Sequence, residues 1–103
     1  GGYRLAWVGF AEQDEGKTVR PVAQAGYEDG YLKIVNITWA DAERGRGPVG
    51  TAIRTGKPYI AKNILTDPNF APWRNEAARR GYASVIGLPL IANGHIFGTL
   101  AIY

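Results

Sequence analysis

Apolar positions along this chain change period several times, and each change marks an element. Residues 3–13, "YRLAWVGFAEQ", are aromatic and β-rich and predict a strand. "DEGK" with Gly16 supplies a turn, and "TVRPVAQAG", 18–26, predicts a second strand, so the two form a hairpin. Pro21 has no amide proton, which favours an edge position or a bulge. Glu28 and Asp29 suit a helix N-terminus, because acids complement its positive end. Tyr31, Ile34 and Val35 then follow at i, i+3, i+4, predicting a short helix over 28–35. In "GPVGTAIRTGKP", Pro48 fits a first helical position, Val49, Ala52 and Ile53 form one face, and Gly56 fits the left-handed cap. Pro58 ends that helix, and "PYIAKNI" starts a strand. "LTDPNFAP" is turn-rich, and a helix from about Pro72 to Arg80 closes at Gly81.

The last segment carries the sharpest pattern. Two β-rich runs, 82–92 and 95–103, flank Asn93-Gly94, the strongest short hairpin signal, and a type I′ turn is expected. That turn sets an expected register: Ala92 opposite His95, Ile91 opposite Ile96, Leu90 opposite Phe97, Leu88 opposite Thr99, Ile86 opposite Ala101 and Ser84 opposite Tyr103. One face would carry Val85, Ile91, Ile96, Leu100 and Ile102. The other would carry Tyr82, Ser84, Ile86, Leu88, Leu90, Phe97, Thr99 and Tyr103. Both faces are apolar, so this hairpin belongs in the middle of a sheet covered on both sides. All three predicted helices lie between the two hairpins and most simply cross one face. The other face would need cover from flanking sequence or a second copy, or it would expose an apolar patch above about a few hundred Å².

Size and charge narrow the function classes. With 103 residues and 46% apolar positions, the chain supports one domain with one core. No stretch approaches the roughly 18 apolar residues of a membrane span, and no targeting leader is visible. The apolar end at Tyr103 and the Gly1-Gly2 start suggest a domain core from a longer, cytoplasmic protein, lacking one or both flanking helices. Twelve Lys and Arg are scattered among nine acids, which reads as a mixed solvated surface, and no nucleic-acid partner is expected. Cysteine is absent and His95 is the single histidine, beside the hairpin turn. Disulfides, thiolate chemistry and His or Cys metal spacings are thereby excluded, and no catalytic triad can be nominated.

What remains is the stretch "NFAPWRNEAARRGYAS", 69–84. If the crossover roofs one sheet face, Trp39, Phe70, Trp73 and Tyr31 are its bulky members. Arg74, Arg46 and Asp41 could supply charge, above a floor holding Tyr82, Ser84, Ile86, Leu88, Thr99 and Tyr103. Small-molecule sites are built from such aromatic walls with a few polar groups. The same residues equally serve as core filling, with Arg74 at the surface and Ser84 on a backbone group.

The order of "GRGPVGTAIRTGKPYIAKNI", "TDPNFAPW" and "RRGYASVIGLPLIANGHIFGTLAIY" resembles a GAF domain of the bacterial sensor-kinase and cyclic-di-GMP signalling type. The matching pieces are Gly47-x-x-Gly50, Thr55-Gly56-Lys57-Pro58, Asp67-Pro68 with Phe70, Pro72-Trp73-Arg74, Arg80-Gly81-Tyr82, Leu88-Pro89-Leu90, Gly94 and Phe97-Gly98. They cover 45–103; the first 44 residues match in pattern only. The resemblance implies an α+β fold: a central antiparallel sheet of five to six strands, with short helices and loops over one face. The other face is left for terminal helices or a partner, in a homodimer. It implies a non-catalytic sensory module of a histidine kinase or diguanylate cyclase. A small ligand would be held by Trp39, Asp41, Phe70, Trp73, Arg74, Tyr82 and Ser84. The alternative is a ligand-free dimerisation module with a filled core. Without Cys no covalent bilin is expected, and with His95 at the turn no haem is expected.

Overall fold

A computed structural model describes residues 3–103. Five strands form one antiparallel sheet in the order β2-β1-β5-β4-β3. They are β1 (Leu5–Ala11), β2 (Val19–Gly26), β3 (Tyr59–Ala61), β4 (Val85–Ala92) and β5 (His95–Ile102). In β1 the predicted alternation holds: Leu5 and Trp7 are buried on one face, while Ala6 and Val8 are half-buried on the other. Its ends are shorter than the predicted 3–13. The flanking polar residues Glu12 and Gln13 lead into the turn, and Tyr3 and Arg4 are exposed.

β2 is an edge strand, exposed at every residue but Val19. The Val19 N–H points away from β1, to the carbonyl of Ile37 at 3.1 Å. By alternation Pro21 takes the next outward position, where it has no amide to leave unpaired. The register of β1 and β2 shifts at Val8/Gly9, which places a bulge beside Pro21, as expected of this residue.

The terminal hairpin corrects one expectation and meets another. It does lie inside the sheet, with β5 in the centre. Asn93 and Gly94 both have positive φ, 52° and 73°, the type I′ requirement. Ala92 faces His95 and Ile91 faces Ile96, as the turn dictates. The register then shifts: Leu90 pairs with Gly98, Pro89 with Thr99, Leu88 with Leu100, Gly87 with Ala101 and Ile86 with Ile102. Phe97 is the extra residue of a β-bulge. Its ring reaches Phe10 edge-on at 5.9 Å, and Gly98 lies so close to the Gly9 carbonyl on β1 that no side chain fits between them. A shift of one residue flips every later side chain. Val85, Gly87, Thr99, Ala101 and Tyr103 therefore share the inner face. Ile86, Leu88, Leu90, Leu100 and Ile102 share the outer one.

The connection from β2 to β4 crosses the inner face. Helix α1 (Tyr31–Ile34) is shorter than the predicted 28–35, because Asp29 and Gly30 are left-handed at φ 47° and 76°, Gly30 is the N-cap and Glu28 stays outside. The Glu28 carboxylate accepts the amide protons of Gly30 at 3.0 Å and Leu32 at 2.7 Å. Tyr31 and Val35 are buried, whereas Ile34 is exposed. Helix α2 (Pro48–Thr55) has its predicted bounds, with Pro48 in the first turn. Gly56 is left-handed at φ 71°, and its N–H bonds the Ala52 carbonyl at 2.9 Å. The Thr99 hydroxyl donates to the Val49 carbonyl at 3.3 Å and ties α2 to the sheet. The helix expected at 72–80 begins as a 3₁₀ segment (Pro68–Trp73) and continues as α3 (Arg74–Arg79). Pro68 takes the first position, which uses no amide, and Pro72 inside the segment has none to donate to a regular α-turn. Asp67 caps it, accepting the Asn69 N–H at 2.9 Å.

One core results, between inner face and crossover. It contains Leu5, Trp7, Tyr31, Val35, Val49, Ile53, Ile64, Phe70, Trp73, Tyr82 and Tyr103. The outer face carries no helix among the described residues, and its row of Val8, Ile86, Leu88, Leu100 and Ile102 is only half-buried.

Candidate functional site

Phe70 and Trp73 sit one turn apart on the 3₁₀ segment, and their rings meet at 5.4 Å. Trp73 is buried, and its indole N–H donates to the Val35 carbonyl at 2.6 Å. That carbonyl ends α1, where backbone acceptors are otherwise unpaired. The Arg44 guanidinium supplies a second donor to the same oxygen at 2.8 Å and lies 5.7 Å from the Trp73 ring. Gly47 faces the ring, and a Cβ there would fall inside its contact distance. Trp73 is thus clamped from three sides.

On the other side of α1, Tyr82 is buried between Tyr31, at 5.2 Å, and Tyr103, at 4.9 Å. Its hydroxyl donates to the Tyr27 carbonyl. The Trp7 indole N–H donates to the Tyr103 hydroxyl at 3.4 Å. The Tyr31 hydroxyl is buried with no hydrogen-bond partner among the described residues. Burial pushes the phenols of Tyr31 and Tyr103 up, and that of Tyr82 to about 12. All three stay neutral near pH 7, so none is a base, and the hydroxyls of Tyr82 and Tyr103 are hydrogen-bonded.

The remaining candidates lie elsewhere. The guanidinium of Arg74 donates to the carbonyls of Ile64 at 3.1 Å and Asp67 at 3.0 Å, so it braces the chain between β3 and the 3₁₀ segment. Ser84 is exposed just before β4. Asp41 is exposed and pairs with Arg46 at 3.0 Å; that hydrogen bond, then the Arg46 charge, holds its carboxyl below the usual range. Trp39 is half-buried and lines a separate open cleft with Ala11, Gln13, Ile53 and Ile96. The expected floor also changes: Ile86 and Leu88 lie on the outer face and Ser84 is at the surface, which leaves Tyr82, Thr99 and Tyr103 under the crossover.

Sequence reasoning assigned no role to Arg80 or Trp7 at this place. Arg80 is 6% exposed. It donates to the Asp29 carbonyl at 2.8 Å and to Glu76 at 2.7 Å, and lies 5.5 Å from the Tyr31 ring. The signal available for it was its place in Arg80-Gly81-Tyr82. His95 is exposed at the hairpin turn, as expected. Among the described residues no group of three or more His, Asp or Glu could hold a metal ion. No described helix is long and apolar enough to cross a membrane.

The fold has known relatives. The Staphylococcus aureus NreA protein, mutated in its nitrate-binding site, is 21% identical with TM-score 0.73; the alignment covers 98% of this chain and 72% of that one. A domain of a putative two-component sensor histidine kinase from Sinorhizobium meliloti is 20% identical with TM-score 0.64, over 98% and 60% of the two chains. Free methionine-R-sulfoxide reductase from Neisseria meningitidis, in complex with its substrate, is 19% identical with TM-score 0.71, over 98% and 52%. No curated protein matches the sequence. The family profile described as "GAF domain" matches residues 1–103, and the chain belongs to the GAF domain family.

Proposed function

We propose that this GAF domain is a non-catalytic regulatory module of a cytoplasmic signal-transduction protein, with a histidine kinase or diguanylate cyclase as output. Its core is filled by its own aromatic side chains, and it acts through the outer sheet face. The observation that carries this reading is the packing of Trp7, Tyr31, Phe70, Trp73, Tyr82 and Tyr103 between sheet and crossover. Composition supports the non-catalytic part. Reducing a sulfoxide with protein side chains takes thiols, and this chain has no cysteine. The outer row of Val8, Ile86, Leu88, Leu100 and Ile102 is the surface for homodimerisation or for flanking helices. Sedimentation velocity tests it: the chain is expected to form dimers, and Leu100→Glu to leave a folded monomer. A wild-type chain that stays monomeric at high concentration rejects the dimer reading.

A second reading has its own observation. The buried Tyr31 hydroxyl makes no hydrogen bond of normal length, although the Tyr103 hydroxyl lies beside it, and such a group costs about 1–3 kcal/mol unless that neighbour or something else completes it. A small polar ligand under the crossover would do so, with Phe70, Trp73 and Tyr82 as walls and Trp39, Asp41, Arg74 and Ser84 as contacts after the crossover rearranges. Arg74 would then exchange its carbonyl partners for the ligand. A ligand at a hundredfold excess over Kd raises stability by about 2.7 kcal/mol. Thermal unfolding with nitrate and a panel of small metabolites reads this directly. A shift that disappears in Arg74→Ala favours this reading, and a flat panel favours the filled core.

A further inference from the structure

Side chains on the outer sheet face grow larger from one edge to the other. Strand pairing aligns Ala25 of β2, Ala6 of β1, Ile102 of β5, Ile86 of β4 and Ile60 of β3 in a single row. The next row runs Ala23, Val8, Leu100 and Leu88 in the same strand order. The β2–β1 half is therefore low and the β4–β3 half high. On the low half, Ala6, Val8, Ala23, Ala25 and Leu100 line a hollow of about 250 Å³. On the high half, Ile60 stands 56% exposed. Arg20 is the only Lys, Arg, Asp or Glu within the five strands, and it pairs with Glu12.

Such a face complements itself under one symmetry. Packed sheets lie about 10 Å apart, with their strands within about 30° of each other. A two-fold axis running along β5 between two facing copies reverses the strand order of the second and keeps each row in place. Ile60 of the second copy then lies over Ala25, its Ile86 over Ala6, and its Ile102 over Ile102. An axis running across the strands would set Ile60 against Ile60 and hollow against hollow, which leaves voids that well-packed interfaces avoid. Five strands about 4.8 Å apart cover about 500 Å² in projection. Side-chain relief brings that near the roughly 800 Å² per partner of a stable interface.

We propose that a second copy of this chain docks on the outer face about an axis along β5, with its Ile60 and Ile86 seated in the hollow at Ala6, Ala23 and Ala25. Each copy gives the same knob and the same hollow, so the interface is closed and self-complementary. The pairing rests on the outer-face dimer reading and adds which residues meet.

The chain has no cysteine, so single Cys variants can be cross-linked without background. The reagent is a bis-maleimide reaching about 10 Å, the spacing of packed sheets. Ala25→Cys mixed and refolded with a longer-tagged Ile60→Cys should give a linked pair of the two sizes. Neither variant should link to itself, because like positions at the sheet edges lie about 20 Å apart in this arrangement. A size exchange provides the second measurement. Ala25 is exposed in the single chain, so Ala25→Leu should fold normally yet weaken dimerisation about tenfold by filling the hollow. Adding Ile60→Ala to that variant should restore most of the loss. Self-linking of Ala25→Cys overturns the axis along β5, and so does a failure of Ile60→Ala to rescue. A dimer in sedimentation that shows none of these links overturns the pairing while leaving dimerisation itself in place. A wild-type chain that stays monomeric removes the outer-face dimer and the pairing with it.

Discussion

The indole N–H of Trp73 and the carbonyl of Val35 are 2.6 Å apart, and this bond joins the end of α1 to the 3₁₀ segment 38 residues later. Both partners are buried, so neither can fall back on water. Trp73→Phe should destabilise the domain by about 1 kcal/mol, because it removes one donor to a carbonyl that Arg44 still serves, while keeping most of the apolar volume. Trp73→Ala should cost about 3–5 kcal/mol through the cavity it leaves. Urea unfolding with an unchanged m-value checks both.

Gly47 is the complement of that ring. A methyl at this position meets Trp73 inside contact distance, so Gly47→Ala should cost about 1–3 kcal/mol by overpacking. The loss should shrink when Trp73 is first replaced by Phe. A double-mutant cycle measures the coupling, and strict additivity would show that the two residues do not press on each other.

Two tyrosines on the same cluster should answer oppositely to loss of the hydroxyl. Tyr82 donates to the Tyr27 carbonyl, so Tyr82→Phe should cost about 1 kcal/mol. The Tyr31 hydroxyl is buried and unpartnered, so Tyr31→Phe should be neutral or stabilising. A clear loss in Tyr31→Phe would mean that this hydroxyl is completed in solution, by the neighbouring Tyr103 hydroxyl or by a bound species.

Glu76 gives the domain an acid limit. Hydrogen bonds from Arg80 first, then Arg79, hold its carboxyl below its ordinary value of 4.5. A carboxyl with a depressed folded pKa stabilises the fold above its unfolded pKa, and that stability is lost as pH falls through the folded pKa. Stability should therefore decline as pH drops below about 4.5. Asp14 and Asp41, also depressed, add to the same trend. Glu76→Gln should flatten that slope; a slope identical to wild type over the same range would remove Glu76 as its source.

Arg74 tests how the crossover is held. Its two bonds to the carbonyls of Ile64 and Asp67 predict that Arg74→Ala costs about 1–2 kcal/mol without any ligand present. Arg74→Lys should recover little, since an ammonium lacks the planar fork that reaches two carbonyls at once. Chemical unfolding of both variants beside wild type makes the comparison.

Local chemistry made some elements readable from sequence. Pro48 and Gly56 bound α2 because the first requires no helical amide and the second takes φ 71° without strain. Asn93-Gly94 produced its turn for the same kind of reason. Pro21 announced an irregular edge strand, and Glu28 a nearby helix N-terminus, because each answers to its own few neighbours.

Other features depended on contacts distant in sequence. The bulge at Phe97 is decided by Gly9 and Phe10, some ninety residues earlier, which leave no room for a side chain at position 98 and offer a ring to position 97. No pattern within 82–103 contains that information, and one extra residue was enough to exchange the faces of β5. The candidate residues divided in the same way. Aromatic type and order nominated Phe70, Trp73 and Tyr82 as members of the crossover. Whether Arg74 faces a ligand or a carbonyl depends on where the backbone of Ile64 and Asp67 comes to rest. By itself, then, the sequence determined the elements whose ends are set by residues a few positions apart, together with the family. Only the tertiary structure decided the register of the last strand and the partners of each buried polar group, because those follow from volume and hydrogen-bond competition between remote segments.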